Sequence, residues 1–293
     1  MRPVLAREFG PKVPLRRQAG LAGLVIAILL VLIAALALTQ TQGRSTSVQS
    51  TRNSEAQVPM LRIQASLLNF VRLNRRLPCP AAPLLDSGLP TPNGPTVAPA
   101  FACNNPDGTV PWAVLGLSAS DVLDPWGRKI SYRVVSGSKS ATVIDGLDRS
   151  QCDTDILIPA LPPRNNLPDA TTGLCQMSAT LAPRTLISSL VGIPSLTVND
   201  KGVLVNGVAY VLVSHGETGR GAYLTGGQRL LPLPAMGGAE SSNASVGSYA
   251  KATPNTTIAA DQPTFFDDVV VYDLLATLIE KSGLGARDWP DVP

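Results

Sequence analysis

Residues 21–39, LAGLVIAILLVLIAALALT, run for nineteen positions without a charge or a proline. At about 1.5 Å of rise per residue, a helix of that length matches the roughly 30 Å hydrocarbon thickness of a bilayer. The stretch therefore predicts a single membrane span. Arg2, Arg7, Lys12, Arg16 and Arg17 stand before it against the lone acid Glu8, whereas only Arg44 and Arg52 lie at a comparable distance beyond it. Because basic residues are retained on the cytoplasmic side, this bias places the N-terminus inside and everything after residue 40 outside. The competing reading is a cleaved secretory signal, since Ala35-Leu36-Ala37 has the small-residue character of a cleavage site. The apolar run exceeds the roughly 7–15 residues of a signal core, which favours a retained anchor.

Composition bounds what lies outside. The leader alone carries a net four positive charges, more than the +3 of the whole chain, so the remainder is close to neutral and offers no basic field for nucleic acid. Aromatic residues make up 4% and charged residues 15%, while the 25 glycines and 26 prolines suit a loop-rich domain containing β-structure. Cys79, Cys103, Cys152 and Cys175 all fall in the exported part, where oxidation is permitted. Three pairings are open. The local one, Cys79 with Cys103 and Cys152 with Cys175, closes two loops of similar size. Zinc is disfavoured, because there is no C-x-x-C pair and His215 is the only histidine.

The order of elements follows from periodicity and punctuation. Met60, Ile63, Leu67, Phe70 and Val71 recur at helical spacing among Arg62, Gln64, Asn69 and Arg72, which predicts an amphipathic continuation of the helix over 40–76, bent or loosened near Gly43 and Pro59. Leu77-Pro78 ends it. Its apolar face requires a cover, and a sheet formed by 77–293 is the expected one. Within that region 130–135 reads as a strand, with 142–144 and 156–158 as partners, and Asp124-Pro125-Trp126-Gly127 as a turn. Residues 196–213 read as a three-strand meander with turns at 199–202 and at Asn206-Gly207. A long loop is expected around 236–260, then a strand at 269–272 and a helix at 274–281 capped by Asp273 and ended by Gly283. The expected fold class is α+β: a long N-terminal helix, transmembrane and then amphipathic, packed on an antiparallel sheet with disulfide-stapled loops.

This layout resembles the type IV pilin-like proteins, which include the pseudopilins of type II secretion systems. The likeness rests on a basic leader ending in Gly20, the apolar helix continuing as an amphipathic one, and a β domain behind it. Within the domain, Asp124-Pro125-Trp126-Gly127 followed by Ser131-Tyr132 is similar to the D-P-W-G-x-x-x-x-Y stretch of major pseudopilins. The run 214–219, SHGETG, with Asp267-Asp268-Val269 later, resembles their glycine-rich calcium loop and its trailing acidic pair. The resemblance implies cleavage after Gly20 by a prepilin peptidase, methylation of the new N-terminus at Leu21, and packing against other pilin or pseudopilin subunits through the N-terminal helix. It implies a bacterial inner-membrane protein with its C-terminal domain in the periplasm, or carried into an extracellular filament. Family members usually carry a glutamate five residues into the mature chain, where this sequence has Val25, and that departure implies a minor, tip-type subunit. Calcium, the one cofactor implied, would take Glu217, Asp267 and Asp268 with loop carbonyls; Thr218 stands where the family's loop acid is expected.

Catalytic readings are weak. Ser214 and His215 are adjacent on a predicted strand end and so point to opposite faces, which prevents a serine–histidine pair between them. No G-x-S-x-G elbow is present, and the glycines at 216, 219 and 221 are not followed by a helix opening. Trp112 and Trp126 are expected to be partly buried. The expected function is therefore structural. The rival is a single-span, membrane-anchored periplasmic binding module or enzyme that does not polymerise.

Overall fold

A computed structural model describes residues 19–94, 102–137, 140–149, 193–231, 238–245 and 247–285; within the first helix, side chains are described for 24–32 and 51–74. The architecture is mixed α+β with a multi-strand sheet. The chain divides into two compact units, Met1–Val48 and Gln49–Pro293.

Helix α1 (Ala19–Asn74) contains both Gly43 and Pro59. In the first unit, Leu24, Val25, Ile26, Ile28, Leu29, Leu30, Val31 and Leu32 are all exposed apolar residues. Among the described residues, no helix is long and apolar enough to cross a membrane. In the second unit the helical spacing seen in the sequence becomes one buried stripe: Ala56, Met60, Ile63, Leu67 and Val71 are fully covered, with Phe70 half-buried at its edge. Burying each of the larger members stabilises the fold by about 1.5–3 kcal/mol. The helix stops because Arg75 turns left-handed (φ 55°) ahead of Pro78, and its N–H still closes on the Val71 carbonyl at 2.7 Å.

The stripe lies on one face of a sheet built from β1 (Asp107–Thr109), β3 (Ser131–Val134), β4 (Leu196–Asp200), β5 (Val203–Ser214), β7 (Ser248–Lys251) and β8 (Val269–Leu274). A small second sheet pairs β2 (Arg128–Lys129) with β6 (Tyr223–Leu224). Val208 pairs with both Leu196 and Leu274, and Val211 with both Arg133 and Tyr272. Strands β3 and β4 therefore lie end to end along one edge of β5, with β8 along the other. The side-chain period of two then sorts residues between faces. Tyr132, Tyr210, Leu212 and Val269 meet the α1 stripe. Val198, Val211, Val213, Val270 and Tyr249 build a second core behind the sheet. Helix α3 (Leu275–Ser282) adds Leu275, Leu278 and Ile279 to the first core and ends on left-handed Gly283 (φ 73°). Asp273 accepts the N–H of Leu274 and pairs with Lys281 at 3.8 Å, but makes no side-chain cap to this helix.

Several sequence expectations are corrected. The meander has two strands, because Asn206-Gly207 lies inside β5, where left-handed Gly207 (φ 76°) accompanies a register shift of one residue against β4. The motif bulges the strand instead of reversing it. The reversal sits at Lys201-Gly202, both at positive φ (52° and 91°), with the Gly202 N–H bonded to Asn199 Oδ1 at 2.8 Å. Residues 142–144 form no strand, only a single bridge at Val143 flanked by turns; 156–158 fall outside the described residues. The sheet is not wholly antiparallel, since β4 and β7 pair in parallel. The expected loop over 236–260 contains helix α2 (Ala239–Ala244) as well as β7.

Cys79 and Cys103 form a disulfide across 24 positions. Cys152 and Cys175 lie outside the described residues.

Candidate functional site

The most concentrated chemistry lies behind the sheet, on the face away from α1. Ser131 on β3, His215 directly after β5, and Asp268 directly before β8 share that face by the two-residue alternation, and all three are buried. Ser131 Oγ lies 3.0 Å from His215 Nε2, while His215 Nδ1 lies 3.9 Å from Asp268 Oδ1, too far for a hydrogen bond. Ser214 points the other way, donating to Asp124 Oδ2 at 3.0 Å, so the neighbours on the chain face apart. Asp124 Oδ1 also receives the N–H groups of Trp126 and Arg128, which fixes the Asp-Pro-Trp-Gly turn.

Around this line the loop after β5 folds onto the β8 approach. Gly216 takes φ 55°, and a Cβ there would stand 2.3 Å from the Asp267 carbonyl oxygen, so only glycine allows the close passage. Thr218 then donates its N–H to Asp267 Oδ2 at 2.7 Å and its hydroxyl to Oδ1 at 3.1 Å. From α2, Glu240 Oε1 accepts the Asp267 N–H at 2.7 Å. Asn243 reaches both ways: its Nδ2 donates to Asp268 Oδ2 at 2.9 Å, and it exchanges two bonds with the backbone of Ala250 in β7, each 2.8 Å. Arg133, itself buried and paired with Asp107, donates to the Asn243 carbonyl at 3.1 Å.

Glu240, Asp267 and Asp268 thus form a buried carboxylate trio whose ligand atoms lie within 4.8 Å of one another. Burial, followed by the charge of Asp267, pushes the Glu240 carboxyl up to about 8. Burial pushes Asp268 well above the carboxylate range, with Glu240 adding to the rise. Burial also drives His215 well below its ordinary value, and the guanidiniums of Arg133, Arg229 and Arg128 depress it further, so its imidazole is neutral.

The calcium arrangement implied by the resemblance does not fit. Glu217 is exposed and apart from the trio, and its carbonyl is taken by Arg128 Nη2 at 2.9 Å. Both oxygens of Asp267 are occupied by Thr218. Asp267 and Asp268 are brought together, but with Glu240, which lay in the stretch read as a loop. The missed signal was Glu240 and Asn243 three apart, on one face of a helical turn.

The order serine, histidine, aspartate at this site is that of a nucleophile, base and orienting acid. Neither of the two described cavities reaches it. One, of about 310 Å³, lies beneath Trp112 and is lined by Val110, Val122, Leu123, Ile130 and Lys129. The other, of about 320 Å³, runs between α1 and the Asp-Pro turn past Pro59, Arg62 and Asp121. Trp112 and Trp126 are partly buried, and both pack against the first core. Gly20 and Leu21 belong to α1, but their side chains lie outside the described ones. No protein-family model, curated protein or solved structure matches the chain.

Proposed function

We propose that this chain is a minor pilin or pseudopilin, a structural subunit serving a tip, priming or accessory role in a type IV pilus or type II secretion filament. The observation that carries the reading is the burial of α1 from Ala56 to Val71 in the core of the second unit. A flexible tether holding a self-contained globule would leave that stripe exposed, whereas a subunit gripped by its helix needs the helix built into the domain. The exposed apolar run at 24–32 supplies a surface suited to lipid and then to neighbouring helices. Val25, where the family's glutamate would fall, is exposed and apolar, consistent with a subunit that does not pair with a neighbour's N-terminal amine.

In this reading a prepilin peptidase cleaves after Gly20, the protein is anchored in the bacterial inner membrane with 77–293 in the periplasm, and its partners are other pilin or pseudopilin subunits. Replacing Gly20 with a bulky residue tests it: assembly into the filament should be lost while the folded domain persists. Unchanged incorporation overturns the reading.

A second reading is a membrane-anchored periplasmic binding module. The cavity of about 310 Å³ beneath Trp112 favours it, being apolar and large enough for a small ligand. Substituting Trp112 distinguishes the two, since filament incorporation survives it and binding does not.

A further inference from the structure

The cavity of about 310 Å³ beneath Trp112 brings core side chains and one surface loop together. Val110, Val122 and Ile130 are buried members of the first core, and half-buried Leu123 lines the space beside them. Leu85, Asp86 and Gly88 come from the loop. Two contacts fasten that loop in place. Gly88 (φ 61°) lies so near Trp112 that a Cβ would stand 2.1 Å from the indole ring, and its carbonyl accepts the Ala113 N–H at 3.1 Å. Lys129 in β2, with its side chain only 11% exposed, donates through Nζ to the carbonyls of Pro83 and Leu85, each at 3.2 Å, and to Asp86 Oδ1. An ammonium has three N–H groups, so the loop takes all of them.

We propose that this cavity takes a small, uncharged, largely apolar molecule, of which a single aromatic ring with a short neutral substituent is the type. The inference rests on the second reading above and fixes the chemical class of its ligand. Lys129 and Asp86 are the only charged residues in the lining, and they are spent on each other. A carboxylate or ammonium entering the cavity would shed its hydration and find no opposite charge free. A polyhydroxylated molecule fares little better. The Thr109 hydroxyl already reaches the Ala81 carbonyl at 3.5 Å, Ser120 Oγ is paired with Ser118 Oγ at 2.9 Å, and the aliphatic side chains offer a hydroxyl nothing. An apolar ring, by contrast, gains from leaving water for that lining. The volume stands at the low end of the range for ligand pockets, about 300–1,000 Å³, which favours a single ring over a larger ligand.

The test uses the full chain in detergent at pH 7 with three probes of one size: 4-fluorobenzyl alcohol, 4-fluorobenzylammonium and 4-fluorobenzoate. The same detergent without protein is the blank. The alcohol should show nuclear Overhauser contacts to the methyl groups of Val110, Val122 and Ile130, and should bind at least about tenfold more tightly than either charged probe. Asp86→Ala, at a side chain 67% exposed, frees one N–H of Lys129 and should raise the affinity for 4-fluorobenzoate by about threefold or more. A charged probe that reaches those methyl groups as tightly as the alcohol overturns the assigned class and leaves the binding-module reading standing. Contact with those methyl groups by none of the three overturns both. A benzoate affinity no higher in Asp86→Ala also overturns the class, because Lys129 would then not be spent on Asp86. The methyl contacts are read on the unaltered protein, so they decide the matter even where the variant fails to fold.

Discussion

Thr218 grips Asp267 twice, with its backbone N–H on Oδ2 and its hydroxyl on Oδ1. That pair ties the loop leaving β5 to the residues entering β8, and Gly216 permits it by letting the backbone pass against Asp267. Thr218→Val keeps the N–H and the shape, and should cost about 1–2 kcal/mol through the lost hydroxyl bond. Gly216→Ala should cost more, because its Cβ would collide with the Asp267 carbonyl and its φ of 55° is unfavourable for alanine. Urea unfolding checks both, with midpoints falling in that order at an unchanged slope.

The buried acids and the histidine make stability depend on pH with opposite signs. Glu240 titrates near 8 in the fold against 4.5 unfolded, so the native state holds more protons between those values and stability falls as pH rises through them. His215 is depressed below 6.5, so the unfolded state binds more protons in acid and stability falls as pH drops below 6.5. Between 6.5 and 8 only the first of these two effects remains. The protein should therefore lose stability across that window, and Glu240→Gln should flatten the loss; denaturant midpoints at pH 6.5 and 8 check this.

The Cys79–Cys103 bond closes a proline-rich segment whose described residues, 80–94, carry only isolated β-bridges. Replacing both cysteines with serine should cost about 3–4 kcal/mol, the loop-closure value for this separation. Thermal melts of the double variant against the oxidised parent read it directly.

The helix stripe gives a paired prediction. Leu67→Ala and Met60→Ala, both at fully buried positions, should each cost about 2–5 kcal/mol. Leu61→Ala, at a position 59% exposed, should change stability by less than about 0.5 kcal/mol. Equal effects at 61 and 67 would mean that the helix is not seated as described.

How far the sequence reveals this arrangement depends on the range of the interaction. The α1 stripe was legible because its spacing is local, and so were the Asp124 turn and the left-handed Gly283. The Asn206-Gly207 bulge was misread as a turn because the same φ requirement serves both, and only pairing with β4 distinguishes them. The carboxylate trio was half legible. Asp267 and Asp268 are neighbours in the chain, but Glu240 joins them only through a three-dimensional approach that no local pattern encodes. Ser131 and His215 lie 84 positions apart and meet because β3 and β5 pair in register.

The most direct measurement is the N-terminal residue of the protein after co-expression with a prepilin peptidase, read by intact mass and sequencing. Use of the helix as the grip of a filament subunit predicts a chain beginning at Leu21, methylated and shortened by twenty residues. A chain still beginning at Met1 contradicts it and leaves a simple anchor.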